Sequence, residues 1–277
     1  MKNPIKRILP FFRLKRMRFS VIIWYGPNKG IINRKRRRVP PGRRSPPPVT
    51  EKGILLMKEF SVFDIIGPRM VGPSSSHTAG AVRIGLVANK LLNGERPKQV
   101  HLTLYGSFAE TGFGHGTDRA LLAGVLGVEP DDSRVRFSML LARSENIWVE
   151  IRKGADEAEH PNTARIYVLT ETGREFTVVG ESVGGGNIEI VEINGMQVSF
   201  TGDYPTLIAF YTDVPGVISK VTAILAKEHI NVAFMKVFRS AKRSDACMVI
   251  ETDAPVPHES IARIQSEVDG IEEICTV

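Results

Sequence analysis

Five consecutive hydrogen-bonding side chains, Ser74, Ser75, Ser76, His77 and Thr78, precede the run AGAVRIGLVANKLL. The apolar residues of that run recur at helical spacing. The cluster is therefore expected on a loop at a helix N-terminus, where free N–H groups and the helix dipole favour a carboxylate or a phosphate. A helix cap needs a single hydroxyl, so capping explains one of these residues and leaves the others unexplained. The stretch predicts a site for a small polar or anionic ligand.

A second histidine, His115, stands in the glycine-rich stretch GFGHGTD, just before another apolar run. The glycines are expected to form a flexible loop, and Thr117 and Asp118 to cap the helix that follows Gly116. The stretch lacks both the G-x-G-x-x-G spacing and a Walker lysine, which argues against a nucleotide site. An imidazole suits proton abstraction at neutral pH, so His77 and His115 at two similar loop-to-helix junctions predict acid–base chemistry. An ordinary surface histidine is the alternative for His115.

Outside the two histidine stretches, much of the first half of the chain has the alternating pattern of strands. From Val135 onward we expect strands that are separated by charged residues. Three glycines at 184–186 indicate a tight turn or a close approach to a ligand. Asn162 and Thr163 are candidate polar contacts, although ordinary turn chemistry explains them nearly as well. The predicted strands are 100–108, 160–168, 175–179 and 188–193.

The chain from about residue 203 to the end has a regular alternation of strand and helix patterns. Apolar residues recur at helical spacing in the two predicted helices. The order βαββαβ is the ferredoxin-like arrangement. The predicted elements are a strand at 206–211, a helix at 216–227, strands at 232–240 and 246–252, a helix at 257–268 and a strand at 271–276.

The 277 residues allow about two domains, and the net charge of +7 is unevenly distributed. Residues 1–56 contain sixteen Lys and Arg and one acid, whereas the rest has 21 Lys and Arg and 29 Asp and Glu. This acidic body argues against a nucleic-acid-binding protein. Cys247 and Cys275 cannot form a disulfide framework, and no apolar run reaches the roughly eighteen residues that span a bilayer. A cytoplasmic protein with no membrane partner is expected.

The first 56 residues are rich in arginine and proline and can bury too little apolar surface to fold. An arginine-rich start also suits a nucleic-acid arm or a targeting peptide. Met57 has the setting of a natural start, because a Lys-Gly pair shortly before it would be encoded by a purine-rich ribosome-binding sequence. We therefore expect a disordered basic tail that arises from a misassigned start. The expected division is tail 1–56, first domain 57–202 and second domain 203–277.

The second domain resembles the ACT domain, a regulatory module that commonly binds amino acids at domain or subunit interfaces. The resemblance is carried by the turn DVPG, from Asp213 to Gly216, and by Asn231 just before the second strand. It implies that these residues belong to a regulatory site and that the ACT domain contributes to subunit association.

The chain from Phe60 to Val277 is similar to the β chains of the iron–sulfur-dependent bacterial L-serine dehydratases (L-serine ammonia-lyases). The matching motifs are SVFDIIGP, GPSSSHTAGAVRIG, LYGSFAETGFGHGTDRA, HPNTARI and VGGGNIEI, followed by the ACT segment. The resemblance implies an α/β (α+β) fold, with a serine-dehydratase β-chain domain ahead of the ferredoxin-like ACT domain. The first domain also resembles the allosteric substrate-binding domain of some phosphoglycerate dehydrogenases. The implied reaction converts L-serine to aminoacrylate and then to pyruvate and ammonia.

The family resemblance also implies a cofactor and a partner. In this family a [4Fe–4S] cluster with one open iron position acts as a Lewis acid towards the serine hydroxyl. Such a cluster needs three or more thiolates, so a chain with two scattered cysteines cannot hold it. A separate α chain with the cysteine ligands would complete a hetero-oligomer. Potassium is a further candidate cofactor, whereas no metal ligand on this chain and no pyridoxal phosphate are expected.

By motif match, His115 is the expected base that removes the Cα proton, and His77 lies beside the substrate. The other expected site residues would hold the carboxylate or ammonium group of L-serine or line the same cleft. They are Ser74, Ser75, Ser76, Thr78, Gly116, Thr117, Asp118, Asn162 and Thr163.

Three other classes of protein are alternatives. A non-catalytic amino-acid-sensing regulatory subunit would bind a ligand but would not need two histidines. A pyridoxal-phosphate lyase would be yellow rather than brown, and no lysine stands in a recognisable setting for that cofactor. A nucleic-acid-binding protein would have to bind through residues 1–56 alone.

Overall fold

The computed structural model describes residues 69–155, 158–239 and 245–277. These described residues belong to one compact unit. The predictions of a disordered tail and of a start at Met57 lie outside the described residues. Within the described ranges, no helix combines the length and the apolar character that a membrane crossing requires.

A six-stranded sheet forms the first half of this unit, in the order β2-β1-β3-β4-β5-β6. β1 and β2 run parallel and the other neighbours are antiparallel. Alternate residues of β1, such as Val100 and Leu102, are fully buried, as the apolar alternation requires. The strands are β1 (Pro97–Leu104), β2 (Trp148–Lys153), β3 (Thr163–Thr170), β4 (Glu175–Gly184), β5 (Asn187–Ile193) and β6 (Met196–Phe200).

Helices line one face of this sheet. A wide π-type helical turn (Ser75–Gly80) runs directly into α1 (Ala81–Leu91), and α2 (Gly106–His115), α3 (Thr117–Val125) and α4 (Ser138–Ser144) follow. The predicted strand at 100–108 ends at Leu104, because the next residues begin α2.

The expectation of strands from Val135 onward is wrong at its start. Residues Ser133–Phe137 form a 3₁₀ turn that leads into α4, and the next strand, β2, begins at Trp148. The Ser138 hydroxyl donates a hydrogen bond to the Arg119 carbonyl at 2.8 Å. Val135 and Ala142 are buried in the core. These tertiary contacts hold a helical segment whose charged residues break up any simple periodicity.

Helices α1 and α3 cross at a pair of glycines. A Cβ at Gly85 would clash with the Leu121 carbonyl oxygen, and one at Gly124 would clash with the Val82 carbonyl oxygen. No side chain fits between the two helix backbones at this crossing. The helices can therefore pack this closely only because both residues are glycines.

We expect Gly124→Ala to lower the free energy of unfolding by about 1–3 kcal/mol or more, because the two helices must move apart to accommodate the added Cβ. Gly114→Ala is the matched control: it also lies within a helix, but a Cβ there meets nothing within 4 Å. The control should be neutral or slightly stabilising, since alanine favours a helix over glycine. Urea denaturation of both variants measures the difference, and equal stabilities would refute the tight crossing.

The C-terminal region confirms the predicted βαββαβ order. Its four-stranded antiparallel sheet has the order β10-β7-β9-β8. The observed ends differ from the predicted ends by at most one residue. The elements are β7 (Thr206–Thr212), α5 (Val217–Lys227), β8 (Val232–Arg239), β9 (Asp245–Thr252), α6 (His258–Glu267) and β10 (Ile271–Thr276).

Both faces of this second sheet carry buried residues. Leu207, Ala209 and Tyr211 belong to the apolar cluster that includes residues of α5 and α6. Between them along β7, Ile208 belongs to the core of the first half, together with Cys247 of β9. Because successive side chains of a strand point to opposite faces, the ACT-type sheet packs its helices on one face and the first half on the other.

Arg174 joins the two halves through charged hydrogen bonds. Its guanidinium donates to the Leu91 carbonyl at 2.7 Å and the Leu92 carbonyl at 3.0 Å, at the end of α1. It also donates to Glu95 and, on β10, to Glu273, both at 2.7 Å. Two helix-terminal carbonyls and two carboxylates therefore share one cation.

We expect Arg174→Ala to lower the free energy of unfolding by about 1–3 kcal/mol, because several partly buried acceptors lose their donor. Arg263→Ala is the control, since Arg263 also contacts two carboxylates, Glu228 and Glu267, but on an exposed helix surface. The control should lose clearly less stability than Arg174→Ala, because exposed ion pairs are screened by solvent and contribute little. Chemical denaturation compares the two variants, and an equal loss in both would contradict this account of Arg174.

Candidate active site

The serine cluster forms the beginning of a helix rather than a loop. Ser74 is the N-cap, and its hydroxyl accepts a hydrogen bond from the His77 backbone N–H at 3.1 Å. Ser75, Ser76 and His77 lie half-buried in the π-type turn, whereas Thr78 is buried. The expectation of a loop is wrong for these residues, because the cap at Ser74 starts the helix before the apolar run begins.

The glycine-rich stretch is also helical. Phe108, Ala109 and Gly112 form the buried face of α2, and a Cβ at Gly112 would lie 3.1 Å from the Thr117 Cβ. Glycine costs a helix about 1 kcal/mol, but here it permits this close approach. His115 is the last residue of α2, and Gly116, with φ at 72°, ends the helix.

The two histidines predicted from the sequence lie together. The centroids of the His77 and His115 rings are 4.9 Å apart, with 47° between the ring planes. His77 also meets the Phe108 ring edge-on at 5.1 Å. His77 is half-buried and His115 is exposed. The π-type turn and α2 therefore present two imidazoles at one surface.

Two hydroxyl residues complete this cluster. His77 Nε2 lies 3.2 Å from Ser107 Oγ and 3.1 Å from Thr111 Oγ1. His115 Nδ1 lies 3.1 Å from the Thr111 carbonyl oxygen. Sequence reasoning missed Ser107 and Thr111. Their signal was the four-residue spacing that places Ser107, Thr111 and His115 on one helix face, which is visible only when the stretch is interpreted as a helix.

The environment of His77 favours the neutral form of its ring. Burial is the largest cause that lowers the pKa of His77, and the neighbouring His115 lowers it further. A hydrogen bond to the Ser107 backbone raises this pKa and offsets part of the effect. A neutral imidazole retains a lone pair, which proton abstraction requires.

Acidification is expected to destabilise the folded chain through His77. The folded state lowers the pKa of His77 from 6.5, so the unfolded state binds more protons between the two values. The free energy of unfolding should therefore decrease as the pH falls below 6.5, and it should decrease less in His77→Gln. Urea denaturation at several pH values measures both proteins. An identical pH dependence would contradict the lowered pKa.

Ser182 connects the loop that carries Asn162 to the π-type turn. The Ser182 hydroxyl donates to the Ser76 carbonyl at 2.9 Å, and the Ser182 backbone N–H donates to the Asn162 carbonyl at 2.9 Å. Asn162 Oδ1 is buried and lacks a partner among the described residues. Thr163 is buried and donates to the His160 carbonyl at 2.6 Å, so its hydroxyl serves the loop itself.

Thr117 and Asp118 do not cap α3 as expected. Both are buried within the first turn of α3, and the position before them is Gly116. Thr117 Oγ1 and Asp118 Oδ1 lack partners among the described residues, as does Thr78 Oγ1. Gly116, in the left-handed conformation, occupies the cap position and has no side chain that could cap α3. The side chains of Thr117 and Asp118, which follow it, are buried instead.

The three expected regulatory residues lie at two separate places. Gly216 precedes α5, and Asp213 accepts a hydrogen bond from Arg239 at 3.2 Å. Asn231 follows the other end of α5 and donates to Asp253 at 2.6 Å. An eleven-residue helix spans about 16 Å. One ACT-type domain therefore does not bring Asp213 and Asn231 together.

Two clefts lie where the ACT-type sheet meets the first half, with volumes of about 580 and 230 Å³. Lys90 contributes to both, and Tyr204 and His258 line the larger one. Neither cleft includes His77 or His115.

Neither cysteine is suited to bind iron. Cys247 and Cys275 are buried and unpaired, and burial raises the pKa of each thiol to about 12. The thiolate is the form that ligates metals. Among the described residues no group of His, Cys, Asp and Glu has the arrangement of a metal site. The residues in the described part of the chain therefore do not fit an iron–sulfur cluster, which needs three or more thiolates.

Comparison with known proteins identifies both halves. Residues 61–147 match the family described as serine dehydratase beta chain, and residues 206–269 match the ACT domain. The probable L-serine dehydratase beta chain of Bacillus subtilis (strain 168) is 46% identical, over 71% of this chain and 89% of that protein. The L-serine dehydratase beta chain of Peptoniphilus asaccharolyticus is 38% identical, over 79% of this chain and 97% of that protein.

A longer relative extends the comparison. The L-serine dehydratase 2 of Escherichia coli (strain K12) is 32% identical over 53% of this chain, and the match covers 37% of that protein. Most of that relative therefore lies outside the match. Because this chain spans nearly the whole length of two beta chains at 46% and 38% identity, it belongs to the serine dehydratase beta chain family, with a C-terminal ACT domain.

Proposed function

We propose that this chain is the β subunit of a two-chain L-serine dehydratase, which deaminates L-serine to pyruvate and ammonia. The nearly full-length similarity to two proteins named L-serine dehydratase beta chain carries this proposal. The adjacent imidazoles of His77 and His115 supply a chemical reason, because elimination of the serine hydroxyl requires removal of the Cα proton.

An α chain would provide what this chain lacks. The cluster expected from the family needs three or more thiolates, and this chain has two cysteines, both buried. The proposal therefore assigns the [4Fe–4S] cluster, and any potassium requirement, to the α chain or to the assembled enzyme. The E. coli relative, named L-serine dehydratase 2, extends well beyond the part that this chain matches, which agrees with an enzyme that needs more than this chain. A cytoplasmic location also belongs to this proposal.

In the proposed mechanism this chain performs the proton transfer. His115 Nε2 takes the proton from serine Cα, the released electron pair forms the Cα–Cβ double bond, and the Cβ–O bond breaks with loss of hydroxide. The cluster of the α chain would supply the Lewis acid that accepts this hydroxide. The product aminoacrylate tautomerises to an imine, which water hydrolyses to pyruvate and ammonia. His77 stays neutral beside the substrate. Ser75, Ser76 and Asn162 are the remaining candidates to bind its charged groups.

The other residues expected to contact L-serine have indirect roles in this proposal. Ser74 caps the helix, and Thr78, Thr163, Thr117 and Asp118 are buried, so they would shape the site beneath the surface rather than meet serine in this conformation. Gly116 would set the position of His115 by ending α2. ACT-mediated association, and a regulatory site at Asp213, Gly216 and Asn231, complete the proposal. The separation of Asp213 from Asn231 favours a regulatory site shared between two ACT domains.

The test is anaerobic co-expression of this chain with the α chain, followed by purification and an assay of pyruvate formation from L-serine. We expect a brown complex that forms pyruvate, and neither chain alone should do so. A complex that binds L-serine but does not deaminate it would instead favour a non-catalytic amino-acid-sensing subunit.

A further inference from the structure

Thr111 contacts both histidines of the candidate site with different atoms. Its hydroxyl oxygen lies 3.1 Å from His77 Nε2, and its backbone carbonyl oxygen lies 3.1 Å from His115 Nδ1. Thr111 is therefore placed to control both imidazoles at once.

The contact to His115 fixes one ring. A carbonyl oxygen can only accept a hydrogen bond, so His115 Nδ1 must carry the hydrogen. In neutral His115 the lone pair then lies on Nε2. This is the nitrogen that the proposed proton transfer uses.

The position of the hydrogen on His77 follows from the hydrogen bonds of the Thr111 hydroxyl. The Thr111 hydroxyl donates its only hydrogen to the Ser107 carbonyl oxygen at 2.9 Å. Towards His77 Nε2 it can then act only as an acceptor, so Nε2 carries the hydrogen. Ser107 Oγ, at 3.2 Å, is a second acceptor for the same N–H. The lone pair of neutral His77 is thereby left on Nδ1.

We propose that Thr111, assisted by Ser107, is a positioning residue that sets opposite tautomers in the two rings, Nε2–H in His77 and Nδ1–H in His115. The basic nitrogens of the site are then His77 Nδ1 and His115 Nε2. The tautomers follow from the hydrogen bonds alone, whereas their catalytic consequence rests on the proposed function.

Nitrogen-15 NMR of the full chain, with labelled histidine, tests the tautomers directly. The chain has six histidines, and spectra of His77→Gln and His115→Gln assign the two rings. At about pH 8, where an unperturbed imidazole is neutral, we expect a protonated Nε2 in His77 and a protonated Nδ1 in His115. A His77 ring with its hydrogen on Nδ1 would overturn the proposal.

Thr111→Val separates the two contacts, since it removes the hydroxyl and keeps the carbonyl. We expect the His77 ring to become a mixture of tautomers while His115 stays Nδ1–H, and Thr111→Ser to restore the wild-type spectrum. Thr222→Val is the matched control, because the Thr222 hydroxyl also bonds a carbonyl four residues earlier, Ile218 on α5. An unchanged His77 spectrum in Thr111→Val would contradict the role of Thr111.

The catalytic consequence is measured in the complex with the α chain. Thr111→Val should lower kcat by about tenfold with little change in KM, as expected when an orienting partner is lost. Thr111→Ser should recover the rate, and Thr222→Val should leave it unchanged. A wild-type rate in Thr111→Val would overturn the positioning role. If the wild-type complex does not deaminate serine, the proposed function fails, while the NMR result still decides the tautomers.

Discussion

Replacing His115 with alanine in the assembled enzyme is expected to lower kcat for L-serine deamination by at least about a hundredfold, the usual contribution of a general base. The physical reason is the free Nε2 of this ring, whose Nδ1 is held by the Thr111 carbonyl at 3.1 Å. His115 is exposed, so its loss leaves no cavity and the fold should persist. Steady-state pyruvate formation at matched iron content measures the effect.

The control for this variant is His258→Ala, which removes an exposed histidine from the ACT-type domain. It should retain the wild-type kcat. A near-normal kcat in His115→Ala, with the cluster intact, would show that His115 is not the base.

The second large effect is expected for His77. His77→Ala removes a half-buried imidazole that contacts His115, Phe108, Ser107 and Thr111. We expect kcat to fall by about tenfold to a hundredfold, because the neutral ring beside the substrate and the order of the α2 surface are lost together. His77→Gln should recover part of the rate, since an amide can still donate to the two hydroxyl oxygens.

The comparison of these two variants decides which ring is the base. In the proposed assignment His115→Ala is the more damaging substitution, and a substrate deuterated at Cα shows its largest isotope effect when proton removal is slowed most. If His77→Ala is the more damaging of the two and His115→Ala is mild, the base is His77. The lowered pKa of His77 would then place the acidic limit of activity below pH 6.5.

The ACT half was predictable because each of its elements is short, periodic and bounded by turn residues. The helix at 217–227 has apolar residues at helical spacing, and its left-handed Gly216 is visible in the sequence as the end of DVPG. Local patterns and tertiary packing agree there, so the predicted and observed ends nearly coincide.

The first half was predicted less well because tertiary contacts override its local signals. The stretch GFGHG has the composition of a loop, yet the buried Phe108 and the close approach of Gly112 to Thr117 make it helical. The helix from 138 to 144 depends on the bond from Ser138 to the Arg119 carbonyl, which no local pattern reveals.

The family resemblance implied that both histidines belong to one site, and the structure places their rings 4.9 Å apart. Ser107 and Thr111 escaped prediction because their role depends on helical spacing within a glycine-rich stretch. The roles of all these residues in catalysis stay predictions, as do those of the serine turn and of Asn162.

The most direct measurement is pyruvate formation from L-serine under anaerobic conditions by the α chain paired with wild-type chain or with the His77→Ala/His115→Ala double variant, at equal cluster content. We expect turnover with the wild-type chain and, with the double variant, no more than the rate of the α chain alone. Turnover by the double variant at the wild-type rate would contradict the claim that this chain supplies the proton-transfer groups of the enzyme.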